Sequence, residues 1–212
     1  MFAVLMGCVP SAVVTSTQDV TIPQVESVPS PVVVDIPPPV VVELVPAPRR
    51  ILIVGDSEAC AVSPYVKLVK DPLDTVDVDC KGGTTVPYWS LLGNFRAALS
   101  RHPKPDSVLI FLGTNHYSDP KANVPGVKNI LGLVQERNIN CVWVGNTAVH
   151  GKHWPINVTL KNAVTPTCDY FDTEQAGIQL SDGVHPTREG AIKWLKAIWP
   201  TIPQKYEEKH DN

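Results

Sequence analysis

Four short polar clusters in this 212-residue chain carry residue types able to do chemistry: a hydroxyl, glycine amides, a side-chain amide, and a histidine with an acid close by. The first is Gly55-Asp56-Ser57, which abruptly ends the apolar, mostly β-branched run Ile51-Leu52-Ile53-Val54. That run reads as a buried strand, and Glu58 to Lys70 as a helix with Pro64 near its start or at a kink. A serine between strand and helix exposes its hydroxyl at the carboxyl edge of a sheet, where the N–H groups of a helix start favour anions. That is a good place for a nucleophile, and the plain alternative is a capped tight turn. The other clusters are Lys81-Gly82-Gly83-Thr84-Thr85, Gly113-Thr114-Asn115, and Asp182-Gly183-Val184-His185 followed by Pro186.

The elements that must position these clusters alternate. Thr75 to Cys80 alternates apolar and polar residues like an outer strand and runs into the glycine turn. Tyr88 to Arg101 places Trp89, Leu92, Phe95, Ala98 and Leu99 near helical spacing, and His102-Pro103-Lys104-Pro105 ends that helix. Val108 to Leu112 is the most hydrophobic run and predicts a central strand. A helix is expected over Val124 to Arg137, a strand over Cys141 to Val144, a long loop over Gly145 to Pro166, and a short strand over Cys168 to Phe171. Thr187 can cap a closing helix that runs through Trp199 and stops at Pro200. Strands alternating with helices predict an α/β sandwich with a mainly parallel sheet. The ligand crevice of such a sheet lies beyond the carboxyl ends of its strands. Ser57, Gly83 and Asn115 fall just past the ends of three different predicted strands.

Taken together, these residues resemble the four signature blocks of the SGNH (GDSL-type) hydrolases, in that family's order and at compatible spacings, over roughly Ile51 to Trp199. Each block alone is weak; the combination is specific. The resemblance implies a three-layer α/β/α sandwich with a flavodoxin-like sheet, and an esterase without metal or organic cofactor. Ser57 would be the nucleophile, His185 its general base and then acid, and Asp182 the group that orients the imidazole. The oxyanion would be held by the backbone N–H groups of Ser57 and Gly83 and by the amide of Asn115. Gly83 is preferred because the family's glycine usually precedes a small residue and a threonine, and the adjacent Gly82 leaves a one-residue ambiguity. The nucleophile block reads Gly-Asp-Ser-Glu, without the leucine that named one branch, which weakens inference to lipases. The expected substrate is a small-molecule or glycan ester, with deacetylation of a carbohydrate or cell-envelope glycan as the specific expectation. The competing expectations are a glycan-binding or phage or envelope structural module on the same fold, and a thioesterase or lysophospholipase.

Other candidates carry less. His116, His150 and His153 are metal ligands on paper but read better as loop residues at the cleft, so no metal site is expected. His116 and Trp154 are placed in the substrate pocket. Trp89 and Trp143 sit inside periodic apolar segments and read as core, and Asp56 as a structural residue of its turn.

Composition frames the rest. Net charge is −3 and no basic stripe stands out, so nucleic acid is not an expected partner. Nine of the 21 prolines lie in the first fifty residues, between valine runs such as Val32-Val33-Val34 and Val40-Val41-Val42. Proline at that density predicts an extended tether. Ahead of it, Leu5-Met6-Gly7-Cys8 resembles the lipobox of bacterial lipoproteins, which would make Cys8 a lipid anchor on the membrane. No basic n-region precedes it and its apolar core is short, so either the sequence starts late or the match is chance. The expected organisation is a signal-like segment over 1–8, a linker over 9–49, a hydrolase domain over 50–201 and a polar tail over 202–212. A cell-envelope or secreted location follows if the signal is real, and a cytoplasmic or virion-associated one if it is not. Cys60, Cys80, Cys141 and Cys168 could pair in an exported protein, and the sequence does not choose among three pairings.

Overall fold

A computed structural model of the chain describes residues 43–116, 119–147 and 155–208. The strands form where the apolar runs lie: β1 Leu44–Pro46, β2 Arg50–Gly55, β3 Thr75–Cys80, β4 Ser107–Phe111, β5 Asn140–Val144, β6 Asp169–Phe171 and β7 Tyr206–Glu208. The helices are α1 Ser57–Val62, α2 Val86–Ser90, α3 Asn94–Arg101, α4 Val124–Glu136, α5 Pro155–Val164 and α6 Arg188–Ile198. Five strands make one parallel sheet in the order β3-β2-β4-β5-β6. This is a flavodoxin-like order, and its direction of winding reverses between β2 and β4.

Helices cover both faces, so the strand period of two sends alternate residues into two cores. Leu52, Val54, Val108, Ile110, Leu112 and Trp143 meet α2 to α5 on one face. Ile51, Ile53, Leu109, Phe111, Val142 and Val144 meet α1 and α6 on the other, where Trp194 packs edge-on against Phe111 with ring centres 5.3 Å apart. Trp89 and Trp143 are core residues, as expected. Two disulfides join Cys60 to Cys80 and Cys141 to Cys168. Their spans of 20 and 27 residues correspond to about 3 kcal/mol each in the chain-entropy picture.

Several expectations are corrected. The helix expected over 58–70 stops as α1 at Val62 and tightens into a 3-10 turn over Ser63–Leu68, because Pro64 has no N–H to offer. The helix expected over 88–101 is two helices, parted at Gly93, whose φ of 72° is a left-handed conformation. The loop expected over Gly145 to Pro166 contains α5, whose Ile156, Leu160 and Val164 repeat every four residues and are buried. The linker stops short of 49: β1 pairs antiparallel with β7, which lies in the expected polar tail. Arg49 is buried, grips Asp74 through Nε at 2.9 Å and Nη2 at 2.6 Å, and donates from Nη1 to the Ile202 carbonyl. Cys8 and the proline-rich stretch up to residue 42 lie outside the described residues. Among the described residues no helix is long and apolar enough to cross a membrane.

Candidate active site

Ser57 opens α1 directly after β2, with Asp56 as the N-cap whose carboxylate accepts the N–H of Glu58. Gly55 has to be glycine. A Cβ there would lie 2.2 Å from the Phe111 carbonyl oxygen, the same atom that accepts the N–H of Asp56. The close approach of β2 to β4 thus fixes where the serine turn leaves the sheet, at the topological switch point. Ser57 itself is half-buried.

The glycine turn after β3 and the Gly113–Asn115 turn after β4 converge on this serine. A Cβ on Gly82 would stand 3.8 Å from Ser57 Cβ, whereas one on Gly83 would meet nothing within 4 Å. Gly82 is therefore the glycine packed against the nucleophile candidate, whereas the sequence preference was for Gly83. Thr84 pins the turn: its hydroxyl donates to the Lys81 carbonyl at 2.7 Å and accepts the indole N–H of Trp89 at 2.9 Å. Asn115 donates one amide hydrogen to the Thr84 carbonyl at 3.0 Å, and its second has no partner among the described residues. His116 closes the 3-10 turn Thr114–His116 beside it. Trp154, His150 and His153 lie outside the described residues.

The loop ahead of α6 brings Asp182 to His185. Asp182 Oδ2 is 2.7 Å from His185 Nδ1, and its Oδ1 accepts the backbone N–H of Val184 at 2.9 Å and of His185 at 2.8 Å. The hydrogen bond to the imidazole, then the two backbone N–H groups, hold the Asp182 carboxyl well below the ordinary carboxylate range. It is therefore an anion clamped on Nδ1, with no partner for Nε2 among the described residues. Both side chains are open to solvent, 37% for His185 and 56% for Asp182.

Sequence reading passed over Glu58 and Thr147, which lie beneath these loops. Glu58 is fully buried, and its Oε1 lies 3.0 Å from the Thr147 amide nitrogen and 2.7 Å from the Thr147 hydroxyl. That hydroxyl is also 2.8 Å from the Val184 carbonyl, inside the histidine loop. Burial raises the Glu58 carboxyl against the stabilising pull of Thr147, Thr114 and His185. Asp56, equally buried, is raised well above the usual range by burial first and by the neighbouring Glu58 second. The one available signal was the glutamate that follows the serine on an otherwise apolar helix face.

No protein-family model and no curated protein sequence matches the chain. Solved structures do. The acetyl xylan esterase AlAXEase superposes with a TM-score of 0.61 at 18% identity, over 73% of this chain and 100% of that one. TesA gives 0.56 at 18% identity, over 73% and 98%. A member of the lipolytic protein G-D-S-L family from Veillonella parvula DSM 2008 gives 0.56 at 13% identity, over 74% and 98%. From the switch-point serine to the Asp-x-x-His loop, the chain has the fold of the SGNH (GDSL-type) hydrolases.

Proposed function

We propose that the chain is a serine ester hydrolase. The observation that carries this reading is the Asp182 carboxylate gripping His185 Nδ1 at 2.7 Å. That contact fixes the tautomer with Nε2 able to take a proton, on a loop tied through Thr147 to the helix that Ser57 opens. Ser57 Oγ attacks the acyl carbon, and its proton passes to His185 Nε2. The carbonyl oxygen becomes an oxyanion held by the N–H groups of Ser57 and Gly82 and by the free amide hydrogen of Asn115. Collapse expels the alcohol, which takes its proton from His185. Water then attacks the acyl-serine, giving its proton to His185, and the carboxylic acid leaves as Ser57 recovers its hydrogen. Side chains and water complete the cycle without a cofactor.

The finer reading is deacetylation of a carbohydrate or cell-envelope glycan. Solvent-open His185 and Asp182 suit a shallow cleft that takes a small acyl group on a bulky alcohol, and one structural neighbour is an acetyl xylan esterase. Two disulfides suit an oxidising compartment, in keeping with export and attachment through Cys8. The test compares the full chain with Ser57→Ala on p-nitrophenyl acetate, a long-chain p-nitrophenyl ester and an acetylated glycan. Acetate release that vanishes in the variant supports the reading. A preference for the long chain removes the deacetylase assignment. Equal background rates from both proteins, with glycan retained in a binding assay, replace the enzyme with a binding module.

A further inference from the structure

We infer that Glu58 is a neutral carboxylic acid that positions the histidine loop, donating its proton to Thr147 so that Thr147 can donate to the Val184 carbonyl. The inference rests on the reading of Ser57, Asp182 and His185 as the catalytic residues. It starts from a count of hydrogens. Thr147 Oγ1 lies 2.7 Å from Glu58 Oε1 and 2.8 Å from the Val184 carbonyl oxygen. A hydroxyl has one proton, and a carbonyl oxygen only accepts. Both contacts are full two-centre hydrogen bonds only if the Glu58 end supplies a proton of its own. Oε1 then donates to Thr147 Oγ1, while its remaining lone pair faces the Thr147 N–H at 3.0 Å.

The surroundings agree. Glu58 Oε2 is buried with no hydrogen bond of good geometry, as is the Thr114 hydroxyl that faces this carboxyl. A full carboxylate charge in a buried pocket whose second oxygen meets only the poorly aligned Thr114 hydroxyl is costly, and a neutral acid is far less so. Three titratable groups face Glu58: Asp56 from its own turn, His185 from the loop and Tyr170 from β6. Asp56 meets the backbone N–H groups of Glu58, Gly113 and Thr114, which favour its charge. Two carboxyls packed together in one dry pocket do not both ionise readily; burial raises Asp56 further and leaves its Oδ2 without a partner too, so it is the hydrogen count at Thr147 that puts a proton on Glu58.

The tie spans the two halves of the triad. Glu58 directly follows Ser57, and Val184 lies between Asp182 and His185. Glu58 and Thr147 therefore set the height of the histidine loop over the nucleophile's helix without either touching substrate.

The test uses the full chain and its Glu58→Gln, Glu58→Leu and Asp56→Asn variants. Infrared difference spectra at neutral pH should show the C=O stretch of a protonated carboxylic acid, shifted in D2O, lost in Glu58→Gln and kept in Asp56→Asn. Glutamine can still donate to Thr147 Oγ1 but leaves the Thr147 N–H without its acceptor, so it should restore part of the activity that leucine removes. Glu58→Leu should lower kcat on p-nitrophenyl acetate about 10-fold with little change in KM, and speed amide exchange over 181–187. The inference falls if the parent lacks the acid band at neutral pH, or if Asp56→Asn removes the band and Glu58→Gln keeps it. It falls equally if Glu58→Leu leaves kcat and loop exchange unchanged. Should the parent hydrolyse no ester, the catalytic reading fails separately, and the infrared and exchange measurements still decide whether Glu58 is the loop's proton donor.

Discussion

Cys60, three residues after Ser57, is disulfide-bonded to Cys80, the last residue of the strand that turns into Gly82. The bond joins the helix that carries the nucleophile candidate to the turn that carries the proposed backbone donor for the oxyanion. The second disulfide, Cys141 to Cys168, sits at the amino ends of β5 and β6, away from the crevice.

Those positions separate stability from activity. Replacing either pair by alanines should lower unfolding stability by about 3 kcal/mol, since the two loops are of similar length. Only the Cys60→Ala/Cys80→Ala variant should also lose kcat/KM, by about 10-fold or more, because the oxyanion donor is then free to shift against the serine. Denaturant melts and ester kinetics on both double variants check this. Equal kinetic losses would mean that neither bond positions the site.

Asn115→Ala should lower kcat by about 10²–10³-fold with KM little altered, as expected for a donor that engages charge only in the transition state. Asn115 already gives one amide hydrogen to the Thr84 carbonyl, so its orientation does not depend on substrate. A change in KM alone on steady-state kinetics would place Asn115 in ground-state binding instead.

Acid stability should depend on Asp74. Burial would raise its carboxyl, but the hydrogen bonds and charge of Arg49 outweigh this and hold it below the ordinary range. Its folded pKa is thus lower than its unfolded one. The stability it gives is complete above the unfolded value of about 3.9 and is lost as pH falls toward the folded value. Asp74→Asn should cost about 3 kcal/mol near neutral pH, because it leaves the buried Arg49 charge unpaired. It should also flatten the acid limb of a plot of melting temperature against pH. An unchanged acid limb would assign acid denaturation to other carboxylates.

Much of this architecture was legible in the sequence because buried parallel strands leave uninterrupted apolar runs, as at Ile51–Val54 and Val108–Leu112. The residues Ser57, Asn115, Asp182 and His185 were visible because each stands where such a run or a capped helix begins or ends. Which of Gly82 and Gly83 packs against Ser57 was not visible, since it depends on how β3 stacks its turn against α1. Glu58 and Thr147 were hidden for a similar reason: 89 residues separate them, and only the folded sheet brings their hydrogen bond into being. Helix α5 was missed because a stretch with histidines and a proline reads as a loop until the four-residue repeat of Ile156, Leu160 and Val164 is given weight.

Glycine at position 190 is the last constraint on the histidine loop, and it can be tested against an internal control. A Cβ on Gly190, in the first turn of α6, would lie 2.2 Å from the Gln179 carbonyl oxygen and 3.2 Å from Thr187 Oγ1. The Gln179 carbonyl accepts the N–H of Thr187, and Leu180 bridges Pro186, so 179–187 closes on itself as the small loop that presents Asp182 and His185. Alanine at 190 must push Gln179 aside. That overpacking costs about 1–3 kcal/mol, enough to offset the gain of about 1 kcal/mol in helix propensity. A Cβ on Gly132, inside α4, meets nothing within 4 Å, so Gly132→Ala should stabilise by about 0.5–1 kcal/mol and leave catalysis alone. Gly190→Ala should instead lower both the melting temperature and kcat, with the parent's KM retained. If it proves as benign as Gly132→Ala, the loop accommodates a methyl group at its base, and its geometry is set by Thr147 and Asp182 alone.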